Sequence, residues 1–383
     1  MRQSWIRGYG CVSAAGRDVS SLWDALQQGT DCSRPIEAGL FPDVGRVPPP
    51  VRAYFTEATI DAASHKDSSQ LEVLIRNLVQ AWEQIGSPGD LPRLGVILAS
   101  TKGGLDDFIW TANEVVARTS PDPLTPVLDG FLSRTKIRPA LKTVVSNACA
   151  SSLSALWLAQ KWISSENVDH VLVIAADRVA PFVAYGFHSL QALTLNKLTS
   201  FDARRAGLLL GEASAAILLS KDQGSFLLDG VGIDAEGVAA TRPSNSGESL
   251  KQSYASYAQT TGAAPDLIIA HGTATVINDA AEDRAFSTLF GRGPAITATK
   301  GTIGHTLGAS GAIDSIVACE ILRHQKAFAI PNTEVIDPRF ECRYLTKDSL
   351  EVHGPKKINR VLVSSLGFGG VHATAVISNG KLC

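Results

Sequence analysis

Short apolar segments alternate with longer segments of helical periodicity along most of the chain. Eight segments consist almost wholly of apolar residues without polar alternation, which is typical of strands covered on both faces. These predicted strands are 94–100, 142–146, 170–176, 214–220, 266–272, 295–300, 360–367 and 374–378. Segments between them, such as 151–163 and 310–323, have the apolar spacing of helices. The pattern predicts a layered α/β fold.

The same order of segments occurs twice along the chain. Each half contains a strand, then a strand that leads through a loop into a helix, and then a further strand. Cys149 and His305 occupy comparable positions in the two loops. Any α/β chain alternates strands and helices in this way, so the alternation alone does not indicate a duplication. The small and glycine-rich residues of both loops favour a true duplication. We predict a seam near 220–226, which divides the chain into halves 1–222 and 223–383.

Composition allows a large globular core and argues against two classes of partner. The chain has 383 residues, of which 45% are hydrophobic, enough for roughly two or three domains or one fold with two halves. Its 35 basic and 37 acidic residues give a net charge of −2 without a basic stripe, which argues against nucleic acid as a partner. No apolar run reaches the roughly 18 residues of a membrane span, so we expect none.

The N-terminal segment and the cysteines indicate a cytoplasmic protein. The first residues, "MRQSWIRGYGCVSAAG", lack a continuous apolar core, so we interpret them as a strand and a turn rather than a signal peptide. The cysteines show neither C-x-x-C pairs nor the spacing of metal sites. They are at positions 11, 32, 149, 319, 342 and 383. This scatter is typical of a reducing compartment.

Cys149 lies in "SNACASS", at the junction of a predicted strand and a predicted helix. Its neighbours are small, so backbone and substrate have room to approach the sulfur. A helix N-terminus lowers the pKa of a nearby thiol, and its free N–H groups bind an oxyanion. The alternative is an inert core cysteine, which is the usual role of this residue type. The residues around Cys149 thus leave a thiolate nucleophile and an inert core cysteine both open.

Two histidines and a lysine follow predicted strands of the second half. His271 lies at the carboxyl end of a strand, where α/β folds bind ligands, although a hydrogen-bonded loop histidine is the alternative. Lys300 and His305 are five residues apart in a glycine-rich loop that enters a helix. Asp314 in that helix is a candidate partner for the lysine; the alternative is a lysine that reaches solvent.

Two further motifs are expected to shape or stabilise the fold rather than to react. Gly367, Gly369 and Gly370 surround Phe368 after a predicted strand, and such glycines permit either close backbone approach or a simple hairpin turn. The segment 200–219 contains several charges around an apolar run, and we expect them to pair with one another where they are buried. These charged residues are Asp202, Arg204, Arg205 and Glu212.

Taken together, the motifs resemble those of β-ketoacyl-acyl carrier protein synthases, the Cys-His-His condensing enzymes of the thiolase superfamily. The resemblance rests on "NACASS", "HGTAT", "GHTLGASG" and "GFGG" and extends over essentially the whole chain. It implies an α/β thiolase-like fold of two duplicated βαβαβαββ halves in αβαβα layers. The half 1–222 would carry the nucleophile, and the half 223–383 would carry His271, Lys300 and His305.

The resemblance implies an acyltransferase that performs a decarboxylative Claisen condensation. Cys149 would take an acyl group from an acyl carrier protein. His271 and His305, as neutral imidazoles, would hold the thioester carbonyl of malonyl-acyl carrier protein while carbon dioxide leaves. The product would be a 3-oxoacyl-acyl carrier protein. No metal or cofactor is expected, because the phosphopantetheine arm arrives with the carrier protein.

The same resemblance implies roles for the surrounding residues. Lys300 would organise the histidine site, with Glu282 and Asp314 as its acidic neighbours. The backbone N–H groups of Cys149 and Phe368 would form the oxyanion hole. The Phe368 ring resembles a gate that moves when the acyl chain enters.

Departures from the family pattern concern the acyl pocket rather than the catalytic groups. The chain is shortened around 103–141, and Val276 replaces a proline. Gly301 replaces another small residue, and Val371-His372 replaces Thr-Asn. These differences favour a specialised type II polyketide or aryl-polyene pathway over core fatty-acid synthesis.

Three alternatives to a condensing enzyme remain at this point. A non-catalytic chain-length factor lacks the cysteine, so Cys149 argues against it. Priming synthases and thiolases lack the second histidine or use a second cysteine, which disagrees with His305 and with the settings of Cys319 and Cys342. A cysteine hydrolase would need an imidazole that activates the thiol and access for water, which nothing in the sequence requires.

The resemblance also implies protein partners. Members of this family dimerise, here with an identical chain or with a chain-length-factor-like homologue. The acidic acyl carrier protein would dock on basic residues near the mouth of the pocket. The strand-rich segment 142–176 is the candidate dimer interface.

Overall fold

A sheet of eleven strands organises the computed structural model, which describes residues 3–36, 52–64, 69–86, 88–105, 122–241, 244–261 and 263–380. Its strands are β1 (Ser4–Ser13), β4 (Leu94–Ala99), β5 (Leu141–Val145), β6 (His170–Asp177), β7 (Ala213–Ser220), β8 (Phe226–Ala235), β9 (Leu267–Ile269), β10 (Ala295–Thr297), β11 (Arg343–Tyr344), β12 (Arg360–Gly367) and β13 (Val371–Ser378). A separate pair consists of β2 (Arg34–Pro35) and β3 (Arg52–Ala53).

Helices pack on both sides of this sheet. They are α1 (Val19–Gln28), α2 (Glu57–Ser64), α3 (Gln70–Glu83), α4 (Thr125–Thr135), α5 (Ser151–Ser164), α6 (Pro181–Ser189), α7 (Glu248–Thr261), α8 (Val276–Phe290), α9 (Lys300–Ile303), α10 (Ser310–His324) and α11 (Leu350–His353). None of the helices in the described ranges is both long enough and apolar enough to cross a membrane.

The same strand pairing occurs twice in the sheet. One half has the order β5-β4-β6-β7-β1 and the other β10-β9-β12-β13-β8. In both, the first three strands are parallel and the next two are antiparallel. An antiparallel pairing of β1 with β8 joins the halves, and β11 extends only the second. The predicted duplication agrees with this topology, whereas its boundary at residue 222 stays a prediction.

The helices complete five layers. α5 contacts β4 and β6 of one half and β8 and β13 of the other, and α10 likewise contacts β7 and β12. α3 covers the outer face of β1 and β7, and α7 covers β8 and β13. Because α10 is enclosed on all sides, every residue from Ser310 to Leu322 is buried, as its small and apolar sequence requires. The layers therefore follow the expected αβαβα order.

The two central helices approach each other closely at a glycine. A Cβ atom on Gly311 would lie 2.6 Å from Cγ of Leu153, a distance that side chains do not tolerate. The N-terminal ends of α5 and α10 therefore meet in the centre of the molecule. This contact brings the two loops that precede the helices, one from each half, close together.

Several sequence predictions need correction at their ends. The strand predicted at 295–300 ends at Thr297, and Lys300 instead begins α9. The strand predicted at 266–272 is limited to Leu267–Ile269. Both predicted strands were too long, because the loops that follow β9 and β10 begin with apolar or small residues that resemble strand sequence. The shortened region at 103–141 lies partly outside the described residues.

The charges of segment 200–219 do not all pair with one another. Only one predicted pair forms within the segment, and the other two groups find partners that are distant in sequence. The observed ion pairs are Arg204–Asp202 (3.0 Å), Arg205–Asp337 (2.7 Å) and Arg178–Glu212 (3.4 Å). The expectation that these charges need each other is therefore wrong, because long-range partners satisfy them.

Candidate active site

Cys149 lies in a tight turn between β5 and α5. Ala148 before it adopts a left-handed conformation with φ of 46°, which is rare for a residue with a side chain. The Ser151 hydroxyl accepts a hydrogen bond from the Asn147 backbone N–H (2.8 Å) and donates one to the Ala148 carbonyl (2.6 Å). The turn thus fixes the cysteine ahead of the helix. The sequence contained no signal for this strained turn.

The Cys149 thiol is buried and lies beside an imidazole. Its Sγ is 3.0 Å from Nε2 of His305. Burial raises the pKa of the Cys149 thiol to about 12, although the Lys300 charge and the backbone N–H groups of Phe368 and Cys149 act in the opposite direction. The expectation of a lowered thiol pKa is therefore wrong for this resting structure, because desolvation outweighs the helix terminus. The sulfur is a thiol at neutral pH.

The second half of the chain places two imidazoles next to this thiol. The rings of His271 and His305 are perpendicular, with centroids 5.0 Å apart. The sulfur of Cys149 and a nitrogen of each ring all lie within 4.8 Å of one another. Burial first, and then the charge of Lys300, lowers the pKa of both histidines well below the usual value. Both imidazoles are neutral at physiological pH, as expected.

Glu282 of α8 holds the loop that presents His271. Its carboxylate accepts hydrogen bonds from the backbone N–H groups of His271 and Gly272 and from the Ser364 hydroxyl, each at 2.7 Å. Burial raises the pKa of the Glu282 carboxyl, and the Lys300 charge acts in the opposite direction, so the two groups influence each other without an ion pair in the described structure. The expected role of Glu282 as an acidic neighbour of Lys300 stays a prediction. Glu282 also caps the end of β9 and thereby positions the backbone of His271.

Lys300 and Asp314 form a buried ion pair beneath the histidines. Nζ of Lys300 is 3.6 Å from Oδ2 of Asp314, and both side chains are 1% exposed. The Thr299 hydroxyl donates to the other carboxylate oxygen of Asp314 at 2.6 Å. The predicted pairing is confirmed, and the alternative of a solvent-reaching lysine is wrong. The Lys300 charge adds to the effect of burial in lowering the pKa of both histidines.

Two side chains that sequence reasoning missed hold His305 and its loop. The Ser310 hydroxyl lies 3.2 Å from Nδ1 of His305. The Asp177 carboxylate accepts hydrogen bonds from the backbone N–H groups of Gly308 (2.8 Å) and Thr101 (2.9 Å). A signal for Asp177 was present, since it is the first polar residue after the apolar strand 170–176. Ser310 carried no signal beyond its place after a glycine-rich loop.

The turn between β12 and β13 places Phe368 against the thiol. Gly369 and Gly370 adopt the left-handed conformations of the hairpin turn, and a Cβ atom on Gly370 would also lie too close to the Glu236 carbonyl. The backbone N–H of Phe368 contacts Sγ of Cys149. The hairpin and the close backbone approach, which were alternatives at the level of the sequence, therefore occur together. The Phe368 ring stacks on Phe187 with centroids 5.1 Å apart.

Two cavities meet at the cysteine. One, of about 370 Å³, is lined by both histidines and has Thr273, Thr275 and Val276 further along its wall. The other, of about 550 Å³, is more apolar and is lined by Phe182, Val183 and Leu307, among others. The residues that line both are Cys149, Phe187, Leu190 and Phe368. The stacked phenylalanines thus border two chambers that share one sulfur.

The sulfur and the two imidazole nitrogens are close enough together to bind a metal ion. The positive charge of Lys300 lowers the pKa of both imidazoles, and the same charge opposes a cation between them. The chemistry of the surroundings therefore suits an anionic or carbonyl oxygen better than a metal. The absence of a resident metal stays a prediction.

Comparisons with known proteins agree with these features. The family model "Beta-ketoacyl synthase, N-terminal domain" matches residues 5–224, and the corresponding C-terminal model matches residues 226–334. A 3-oxoacyl-[acyl-carrier-protein] synthase 2 from Coxiella burnetii is 26% identical, over 98% of both chains. A protein of the same name from Mycobacterium bovis is 28% identical, over 79% of this chain and 78% of that one.

Solved structures extend the comparison to the fold. The ketosynthase ApeO in complex with its chain length factor ApeC from Xenorhabdus doucetiae superposes with a TM-score of 0.82. The sequences are 23% identical, and the match covers 98% of each chain. At this identity the likeness concerns the fold alone. The thiolase-like architecture expected from the sequence is confirmed.

Proposed function

The chain belongs to the β-ketoacyl synthase family of acyltransferases, and on that premise we propose that Cys149, His271 and His305 perform its decarboxylative condensation. The observation that carries the proposal is the contact of Cys149 with His305 at 3.0 Å, beside a second neutral imidazole and at the junction of two cavities. A nucleophile, two hydrogen-bond donors and two substrate chambers thus lie in one place. Lys300 supports them electrostatically.

Acyl transfer is the first step of the proposed reaction. Cys149 attacks the thioester carbonyl of an acyl carrier protein substrate, and its proton passes to Nε2 of His305 and then to the departing pantetheine sulfur. The carbonyl oxygen of the tetrahedral intermediate accepts hydrogen bonds from the N–H groups of Cys149 and Phe368. One such donor is worth about 3 kcal/mol of transition-state stabilisation. The acyl chain then occupies the more apolar cavity.

Condensation is the second step. Malonyl-acyl carrier protein enters the chamber lined by the histidines, and the imidazole N–H groups of His271 and His305 donate to its thioester oxygen. The bond to the carboxylate breaks, carbon dioxide leaves, and the electron pair forms an enolate that attacks the acyl-cysteine. As the new carbon–carbon bond forms, the bond between the acyl carbonyl carbon and the cysteine sulfur breaks. The thiolate released takes up a proton from water, and the 3-oxoacyl product leaves on the carrier protein. The Ser310 hydroxyl supports either tautomer of His305, because a hydroxyl both donates and accepts.

A non-catalytic chain-length factor is disfavoured by the same site. Such a subunit needs neither a nucleophile nor a pair of imidazoles, and this chain brings all three together in a buried, hydrogen-bonded arrangement.

Mass spectrometry of the protein mixed with acyl carrier protein thioesters tests the proposal. We expect an acyl adduct on Cys149, and a 3-oxoacyl carrier protein after malonyl-acyl carrier protein is added. Cys149→Ala abolishes both. Cys32→Ala is the matched control, because Cys32 is the least buried of the five free cysteines in the described ranges. An adduct that persists in Cys149→Ala and disappears in Cys32→Ala would overturn the assignment.

We further propose a specialised pathway rather than core fatty-acid synthesis. Val276 is 54% exposed at the rim of the histidine cavity, where an apolar side chain meets the incoming substrate. His372 follows the Phe368 turn where the family has asparagine. A panel of acyl carrier protein thioesters is the test. Preference for ordinary medium-length saturated chains over conjugated ones would contradict the specialised pathway.

The edge of the sheet supports a dimer through β5. This strand pairs only with β4 in the described structure, and neighbouring apolar side chains are partly exposed, with Leu141 at 39% and Trp157 at 37%. We propose that a second chain, identical or chain-length-factor-like, continues the sheet there.

Trp157→Glu tests this proposal. We expect it to shift the mass measured by analytical ultracentrifugation towards that of the monomer. Val352→Glu, at an exposed valine on α11, is the control and leaves the mass unchanged.

The remaining expectations are also proposals. An acyl carrier protein is the substrate partner, supported by the names of the curated relatives. The cytoplasm is the proposed location, supported by five free cysteines in the described ranges. The two halves 1–222 and 223–383 are proposed as the structural units.

A further inference from the structure

A loop from the end of β8 holds the turn that carries Phe368. The backbone N–H of Glu236 donates to the Gly370 carbonyl at 2.9 Å, and the N–H of Gly369 donates to the Ala240 carbonyl at 2.7 Å. A Cβ atom on Gly370 would lie 2.2 Å from the Glu236 carbonyl oxygen. The loop and the turn are therefore in direct backbone contact on both sides of the turn.

A buried side-chain pair reinforces this contact. Nε2 of His372, the second residue of β13, lies 3.1 Å from Oε1 of Glu236. The same oxygen accepts a hydrogen bond from the Ser244 backbone N–H at 2.5 Å. The side chains of His372 and Glu236 are 1% and 8% exposed. Glu236 thus links β13 to the start of the loop and to Ser244.

The pair has no part in the proposed chemistry, yet it lies next to it. Phe368, four residues before His372, supplies the N–H that contacts the Cys149 sulfur and the ring that stacks on Phe187. Thr241, within the loop, lines the cavity of the histidines. The loop therefore touches both the substrate chamber and the Phe368 turn.

We propose that Glu236 and His372 are positioning residues, which hold the Phe368 turn at the distance from Cys149 that acyl transfer requires. Neither side chain touches the reacting atoms. Without the pair, the turn keeps only its two backbone hydrogen bonds to the loop, and the N–H of Phe368 loses its fixed place beside the sulfur. This inference rests on the proposed function, because it assigns the Phe368 N–H to the oxyanion of the acylation step.

The test measures two half-reactions separately. Acylation is followed as the rate of adduct formation on Cys149, and decarboxylation as carbon dioxide release from malonyl-acyl carrier protein without an acyl donor. We expect Glu236→Ala and His372→Ala to slow acylation at least about tenfold, by analogy with the loss of an oxyanion donor. Decarboxylation depends on His271 and His305 and changes less than acylation.

Conservative variants separate positioning from folding. Glu236→Gln keeps an acceptor oxygen for His372 and Ser244, so we expect acylation within about threefold of the unchanged protein. Glu236→Asp is one methylene shorter and cannot reach both partners, so we expect acylation several times slower. These two variants also keep the test decisive if the alanine variants do not fold.

A second buried pair on the same strands provides the matched control. Asp229 of β8 accepts from the Ser378 hydroxyl at 2.9 Å and pairs with Arg360 at 3.4 Å, at the other end of the strands. Asp229→Asn removes charge from a comparable pair far from Phe368. We expect it to lower the melting temperature without slowing acylation.

The inference is overturned if Glu236→Ala and His372→Ala lower only the melting temperature, as Asp229→Asn does, or if acylation and decarboxylation slow equally. Neither outcome affects the proposed function, provided that the unchanged protein forms the Cys149 adduct. If the unchanged protein forms no adduct with any thioester, the proposed function itself fails.

Discussion

At the scale of single residues, burial decides the ionisation of the site more than the helix terminus does. The Cys149 thiol lies before the first turn of α5, where a helix favours a thiolate. It is also enclosed by His305, Phe368 and Phe187, and its pKa rises to about 12. The proton is thus kept on sulfur until a substrate arrives, with a neutral imidazole in place to accept it.

The raised thiol pKa predicts the pH dependence of alkylation. Iodoacetamide reacts with the thiolate, and the thiolate fraction of a group with a pKa near 12 increases about tenfold per pH unit below that value. We expect the alkylation rate of Cys149 to rise from pH 6 to pH 10 without a plateau. Mass spectrometry of the Cys149 peptide provides the rates, in a Cys32→Ala background that removes a competing thiol. A plateau near pH 7 would contradict this prediction.

Lys300 gives a second prediction at this scale. Lys300→Met leaves the Asp314 carboxylate buried without its partner, and breaking a buried pair in this way costs about 3–5 kcal/mol of unfolding free energy. The double variant Lys300→Met/Asp314→Leu removes both charges, and we expect it to recover most of that loss. Urea unfolding measures all three proteins. Equal stability of the single and double variants would contradict the prediction.

The candidate catalytic residues could be named from the sequence, but their contacts and pKa values could not be predicted from it. Cys149, His271 and His305 stand out because each follows a predicted strand and enters a loop of small residues. The thiol pKa could not be predicted, because it depends on how deeply the sulfur is enclosed by residues distant in sequence. The hydrogen bonds of Glu282 could not be predicted for the same reason, since its partners are backbone N–H groups brought near it only by folding.

At the scale of elements, the contact between α5 and α10 positions the site. Gly311 permits the two helices to approach, and the preceding loops then bring Cys149 and His305 within 3.0 Å. The nucleophile and its imidazole are thus placed by helix packing in the core rather than by flexible surface loops.

Gly311→Ala tests this contact. The added Cβ would lie 2.6 Å from Cγ of Leu153, and overpacking of a tight core costs about 1–3 kcal/mol. In a Leu153→Ala background the added methyl group enters the space that the leucine leaves, so we expect the substitution there to be neutral or stabilising. Denaturant unfolding of the four proteins gives the coupling energy. Additive effects would mean that the helices do not meet at this point.

The elements themselves were predictable where apolar runs are long. β4, β6, β7 and β12 follow their predicted spans closely, because strands buried on both faces need continuous apolar sequence. β9 and β10 are only three residues long, and their ends could not be separated from the small residues of the loops that follow. The four-residue helix α9 has too few residues for a periodic signal.

At the scale of the whole molecule, the halves share one core. Residues of α5 and α10 pack together with strands of both halves in a single cluster of buried side chains. Each of these helices contacts strands of both halves, so neither helix is fully covered within one half alone.

We therefore expect the halves to be inseparable in folding. The intact chain should unfold in one transition, with equal calorimetric and van 't Hoff enthalpies. Separately produced segments 1–222 and 223–383 should lack the cooperative melting and the dispersed amide spectrum of a folded domain. A cooperative transition in either segment alone would contradict this expectation and would indicate two independent domains.

The repeated strand order has a consequence for how the active site could have arisen. Cys149 follows β5 in one half, and His305 follows β10, the matching strand of the other half. In the proposed reaction the same scaffold position thus supplies the nucleophile from one copy and the proton acceptor from its twin. Such a division of labour is open to a duplicated gene, because each copy diverges while the other retains the ancestral residue.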